Sequence, residues 1–118
     1  MKKLVQRYQD QCPTGGRFFP EKYGLEEFRI KRYNSGDCFR QHVDVGDYNS
    51  ARRFLAFLWY LNDDFEGGET LFRLPDKKLI QPKAGDVLIF PPTWQYPHEG
   101  LPVTTGTKYI MSTYLHYV

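Results

Sequence analysis

Residues 52–62 read RRFLAFLWYLN, apolar at almost every position after the two arginines, and the chain then enters the polar turn NDDFEGG. A strand with one wet face alternates apolar and polar side chains, whereas a run without alternation is covered on both faces. A buried helix would fit the same length. The aromatic content and the glycine-bounded end favour a strand. The rest of the chain must therefore supply a layer on each side of this segment. With 118 residues, 41% of them apolar and 17% aromatic, it has the material to do so in one domain.

The flanking segments read mostly as short strands. EEFRIKRY (26–33) alternates, with Phe28 and Ile30 on one face and Arg29, Lys31 and Tyr33 on the other. NSGD (34–37) is a turn and CFRQHVD (38–44) a second strand, so 26–44 is expected to form a hairpin. ETLFRL (69–74), KLIQP (78–82), DVLIFP (86–91) and the long TKYIMSTYLHYV (107–118) complete the set. Only residues 2–10 suggest a short helix, and 1–25 form an N-terminal extension broken by Gly15, Gly16, Pro20 and Gly24. Many short strands separated by Gly, Pro and Asp turns predict an all-β sandwich or barrel, such as a jelly roll, with a little N-terminal helix.

Charge and composition exclude several classes. A net charge of +2 is too small for a nucleic-acid or anionic-membrane surface, and the pairs Arg52-Arg53 and Lys77-Lys78 read as solvated loop charges. No apolar run approaches the roughly 20 residues of a membrane helix. MKKLVQRYQDQC lacks the apolar region of a signal peptide, and Cys12 and Cys38 suit free thiols, so a cytoplasmic setting is expected. No GxSxG, CxxC or Walker motif is present.

The chain has three histidines, and one stands in RQHVDVGD. On a strand His42 and Asp44 point the same way, which lets them share a metal or simply hydrogen-bond each other. A third ligand must come from elsewhere. His98, in the turn-rich YPHEG, is a better candidate than His116 near the end. Two histidines and a carboxylate leave open coordination positions, as in non-haem Fe(II) oxygenases, although zinc would accept the same set. Glu99 points away from a site built on its neighbour. Lys108 shares a strand face with Ile110, Ser112 and Tyr114. If that face is interior, the ammonium needs an anionic partner; if it is exterior, the lysine is merely solvated.

The ordered set His42-Val-Asp44, GGETLF (67–72), PKAGDVLIF (82–90) and PHEGLPVTTGTKY (97–109), with Lys108 ten positions beyond His98, resembles the 2-oxoglutarate- and Fe(II)-dependent dioxygenases. The likeness is greatest to their prolyl 4-hydroxylase branch, and it covers about residues 26–118. It implies a double-stranded β-helix, a relative of the jelly roll and the cupins. It implies iron on His42, Asp44 and His98, and Lys108 on the distal carboxylate of 2-oxoglutarate. Tyr33, in YNSG, would hydrogen-bond that cosubstrate, with Tyr60, Thr70 and Ser112 as further pocket residues. O2 would be consumed, ascorbate would serve as accessory reductant, and a proline-containing peptide or protein would be hydroxylated, with succinate and CO2 released.

One departure bears on the substrate. Such catalytic domains usually carry a longer helical segment before the core, and only about 25 residues precede it here. The loop VGDYNSARR (45–53) is expected over the site, where Arg52 or Arg53 could touch a peptide. The rival readings are an oxygenase of a free amino acid or other small molecule and a non-catalytic metal-binding jelly roll. A nucleic-acid demethylase fits less well, because that branch usually has arginine where Lys108 stands.

Overall fold

The computed structural model describes residues 1–118. The long apolar run forms β4 (Arg53–Tyr60), the inner strand that orders everything around it. Before it come α1 (Lys2–Gln11), α2 (Pro13–Gly16), β1 (Tyr23–Leu25), β2 (Arg29–Tyr33) and β3 (Phe39–His42). After it come β5 (Glu66–Gly67), β6 (Thr70–Phe72), β7 (Lys78–Ile80), β8 (Val87–Phe90), β9 (His98–Gly100), β10 (Val103–Thr105) and β11 (Lys108–Tyr117).

The larger sheet runs β1-β11-β4-β8, with β2 continuing the same edge of β11 as β1. The smaller sheet runs β3-β9-β6-β7, and β5 pairs with β10 at one end. All pairings are antiparallel. Leaving aside β1, β5 and β10, the remaining strands interleave in chain order. The first, eighth, third and sixth make one sheet, and the second, seventh, fourth and fifth make the other. That alternation is the double-stranded β-helix.

The interleaving corrects one expectation. Residues 26–44 are not a hairpin: β2 pairs with β11 in the large sheet and β3 with β9 in the small one. The NSGD turn is a crossover between layers. A turn and two alternating strands look the same in either arrangement, and only the distant partners β9 and β11 decide.

β4 is covered on both faces, as its composition requires. Leu55 and Phe57, each 1% exposed, join Val5 and Leu115 in a core under α1. Ala56 and Tyr60 lie on the opposite face, toward the second sheet. Helix α1 sits there because Leu4, Val5 and Tyr8 form one apolar stripe at helical spacing. A Gln6–Asp10 hydrogen bond of 2.9 Å supports the wet side, and Pro13 follows its end. On β2 the more apolar face is the outer one: Ile30 is 67% exposed, while Lys31 and Tyr33 face the space between the sheets.

Candidate active site

One pocket lies between the sheets, walled by β2, β3, β4, β6, β8, β9 and β11. At one end three predicted ligands converge. His42 closes β3 and His98 opens β9, and the two are direct cross-strand partners. Asp44 lies just past β3, where its N–H and that of Val45 both donate to the Pro92 carbonyl, at 3.1 and 3.0 Å. This fork ties the aspartate to the segment leaving β8.

The carboxylate then bridges the imidazoles: Asp44 Oδ1 lies 3.4 Å from His42 Nε2, and Oδ2 lies 3.6 Å from His98 Nε2. The ligand atoms of all three lie within 4.8 Å of one another. The far ring nitrogens are already committed. His42 Nδ1 donates to the Arg40 carbonyl at 2.7 Å and His98 Nδ1 to the Tyr96 carbonyl at 3.2 Å. A carbonyl can only accept, so these bonds fix the Nδ1–H tautomer and turn the Nε2 lone pairs inward. This is how ligating histidines are oriented. The donor set therefore fits a divalent metal on chemistry as well as position.

The electrostatics follow from burial and pairing. Burial alone would raise Asp44, but His42 and His98 beside it, when a second proton sits on Nε2, hold it below the usual carboxylate range. Burial lowers His98, while for His42 the Asp44 carboxylate and Arg40 carbonyl outweigh burial and raise it. Around the rings, Phe39 stacks on His42 at 3.8 Å, and Phe90 and Phe72 pack on His98 at 4.9 and 5.6 Å. These apolar rings bury His98 and cover one face of the more open His42.

Lys108, at the start of β11, is only 4% exposed. Its Nζ donates to the Gly68 carbonyl at 2.8 Å and has no carboxylate within ion-pair distance. Burial pushes it down to about 8, with distant Glu69 opposing. The GGET glycines make this contact possible. Gly67 and Gly68 have φ of +75° and +69°, and a Cβ on Gly67 would collide with the Pro102 carbonyl oxygen.

The other expected residues distribute unevenly. Tyr33, Thr70 and Ser112 line the pocket. The Tyr33 ring lies 5.0 Å from Lys108 Nζ, and burial raises its phenol. Tyr60 stands behind the wall, fully buried, with its hydroxyl bonded to that of Thr70 and its pKa pushed up to about 12 by burial. Glu99 turns outward to Arg73, at 2.9 Å, and His116 lies 3.7 Å from Glu26, off the pocket wall.

Residues 45–53 do not line this pocket; several of them border a neighbouring hollow with Asp44, and Arg53 is not the solvated charge expected. Its guanidinium grips Glu26 through two bonds of 2.8 and 3.0 Å and donates to the Asp44 carbonyl at 3.0 Å. It also lies 4.0 Å from the centre of the Tyr114 ring. Tyr114, whose phenol burial and the Asp44 charge both raise, faces the pocket beside the aspartate. Its position on the Lys108 strand face was the signal that could have singled it out.

The comparisons with known proteins agree with this geometry. The family described as the 2OG-Fe(II) oxygenase superfamily matches residues 28–116. The chain belongs to that superfamily. It is 30% identical to "Probable prolyl 4-hydroxylase 9" of Arabidopsis thaliana, over 81% of this chain and 42% of that protein. The crystal structure of a viral collagen prolyl hydroxylase from Paramecium bursaria Chlorella virus-1, in complex with 2OG, superposes with a TM-score of 0.73 at 29% identity. That match covers 97% of this chain and 71% of the other. A Pseudomonas putida prolyl-4-hydroxylase structure gives a TM-score of 0.67 at 27% identity, over 79% and 54%. The chain spans 42–48% of the length of the plant and mimivirus relatives it matches. As a 2OG-Fe(II) oxygenase it is expected to use Fe(II) and 2-oxoglutarate, and the His42–Asp44–His98 group suits the metal.

Proposed function

We propose that this chain is the catalytic core of a prolyl 4-hydroxylase-like oxygenase, acting on a proline within a peptide or protein. In this reading His42, Asp44 and His98 hold Fe(II), and Lys108 takes the far carboxylate of 2-oxoglutarate. Tyr33, Thr70 and Ser112 line the cosubstrate's channel, and Tyr60 braces Thr70 from behind. The observation that carries the reading is Lys108: a buried ammonium with one carbonyl partner, in the same pocket as the three-ligand group. An unpaired buried charge is costly, and a dicarboxylate reaching from the metal end would relieve it.

The iron and 2-oxoglutarate supply the oxidising chemistry, converting a C–H bond and O2 to an alcohol while the cosubstrate becomes succinate and CO2. The protein positions and shields. Lys108 Nζ fixes one end of the cosubstrate, with Gly68 setting its direction and the Tyr33 ring on its flank. The Nδ1–H bonds of His42 and His98 keep both Nε2 atoms aimed inward. Phe72 and Phe90 bury His98 and Phe39 covers one face of His42, which limits water at the metal end. No side chain has to act as a nucleophile.

The test begins under anaerobic conditions. Fe(II) and 2-oxoglutarate added to the protein should give the visible charge-transfer band of the chelate. Exposure to air with proline peptides should then yield succinate and a peptide heavier by one oxygen atom. Metal binding without the band would overturn the cosubstrate assignment. A band with succinate formed only in the presence of small-molecule substrates would move the substrate from peptides to free compounds.

A further inference from the structure

Besides Lys108, one more ammonium lines the pocket. Lys31 lies on β2 two residues before Tyr33, and its cross-strand partner is the pocket residue Ile110. It is partly buried, and burial lowers its affinity for a proton. It makes no ion pair and no hydrogen bond. Its Nζ lies 5.0 Å from the centre of the Phe39 ring, and that ring stacks on the metal-end imidazole of His42. Asp44 is the carboxylate that attracts it, yet both Asp44 oxygens are turned to the histidines. Arg29, on the same face of β2, adds a repelling charge.

Charge counting at the loaded site sharpens the point. A divalent ion among two neutral imidazoles and one carboxylate stays positive, and Lys108 adds a second positive charge. The dianion 2-oxoglutarate offsets those two, and Lys31 remains without a counter-charge in the pocket wall.

We propose that Lys31 is an anion subsite of the pocket, holding a carboxylate of the substrate next to the residue that is oxidised. The inference rests on the peptidyl-proline reading and narrows its substrate class to proline flanked by an acidic group. The carboxylate could belong to an acidic side chain or to the proline itself at a free C-terminus, and the two sources are separable. Phe39 beside the ammonium offers an apolar surface for the proline ring or its neighbour.

The experiment is calorimetric binding to protein loaded with Mn(II) and 2-oxoglutarate. The probes are matched proline peptides carrying Glu, Gln or Lys beside the proline, together with N-acetyl-proline. Wild type is compared with Lys31→Met, Lys31→Arg and Lys31→Glu, and hydroxylation of the same peptides by the Fe(II) enzyme is scored in parallel. Wild type should prefer the Glu peptide about tenfold over the Gln peptide, as expected for one charge-assisted contact. Lys31→Met should erase the preference, Lys31→Arg should keep most of it, and Lys31→Glu should favour the Lys peptide. Retained 2-oxoglutarate binding shows that each variant is folded. Lys31-dependent binding of N-acetyl-proline without any peptide turnover would keep the anion subsite and overturn the peptide reading. Peptides hydroxylated with no charge preference, or a preference untouched by Lys31→Met, would overturn the subsite and keep the peptide reading. Failure of every probe to bind would overturn both.

Discussion

The two ends of the pocket handle buried charge in opposite ways. At the metal end both Asp44 oxygens face imidazole Nε2 atoms, and a proton taken up on His42 Nε2 can answer the carboxylate's charge before any ion arrives. At the far end Lys108 is buried against a single carbonyl. The first end is a set of donors that already pack together, whereas the second is a charge awaiting its partner. A proton can therefore stand in for the ion at the metal end, whereas in the proposed reading the lysine gains its counter-charge only when an anion enters. Removing a residue from each end should accordingly have different consequences for binding and for stability.

The largest effect is expected at the metal end. His98→Ala should weaken Mn(II) binding by more than about 100-fold, beyond the 10–100-fold typical of losing an outer-shell partner. It should also lower the melting temperature of the metal-free protein, because His98 fills space between Phe72 and Phe90. Magnetic resonance of bound Mn(II) and a thermal melt check the two halves.

Lys108→Met should break the symmetry. Affinity for 2-oxoglutarate should fall by roughly 100-fold, as expected when one partner of a buried charge pair is removed. The ligand-free protein, however, should melt at the same temperature or higher, since an unpaired buried ammonium has been replaced by an apolar chain of similar shape. A variant that loses both cosubstrate binding and ligand-free stability would show that Lys108 is structurally satisfied, and the contrast between the two ends would collapse.

Arg53→Ala tests whether the metal end depends on support from outside the pocket. It removes the Glu26 ion pair, the bond to the Asp44 carbonyl and the cover over Tyr114. Mn(II) affinity should drop about tenfold, the lower end of outer-shell effects. Affinity for 2-oxoglutarate, read with metal saturating, should barely change.

Much of this contrast could be read from the sequence, for definable reasons. The period of two identified the pocket face of β11 that carries Lys108, because strand periodicity is local, but the expected strand 38–44 ends at His42, and Asp44 is brought to the histidines by its bond to the Pro92 carbonyl instead. β4 could be recognised as covered on both faces because its composition records burial directly. Partner choice could not be read. The turn at 34–37 looked like a hairpin because nothing within it reveals that β2 will find β11 and β3 will find β9. Arg53 was taken for a loop charge for the same reason, since Glu26 and Tyr114 reach it only through β1, β2 and β11. The small strands β1, β5, β9 and β10 were missed because two or three residues with no apolar run around them carry no periodicity. Lys31 shares the face of Tyr33, but alternation alone gives a lysine no role, since a charged chain on that face reads equally as a solvated one.

The last comparison is a matter of pH, and its sign follows from Lys108. Burial pushes that ammonium down to about 8 from 10.5. Between those values the unfolded chain binds more protons than the folded one, so stability rises with pH across that window and is flat below it. In the proposed reading cosubstrate binding runs the other way, because 2-oxoglutarate would need the charged lysine and would draw its pKa back up. Its affinity should be level below pH 8 and fall about tenfold by pH 9, one unit above the free-protein value. Metal-saturated titrations at pH 7, 8 and 9 measure this fall, and denaturant melts of the ligand-free protein over the same range should show stability rising. In Lys108→Met both trends should vanish together. If the affinity falls while stability does not rise, another group governs cosubstrate binding and the far end of the pocket has a partner for its charge after all.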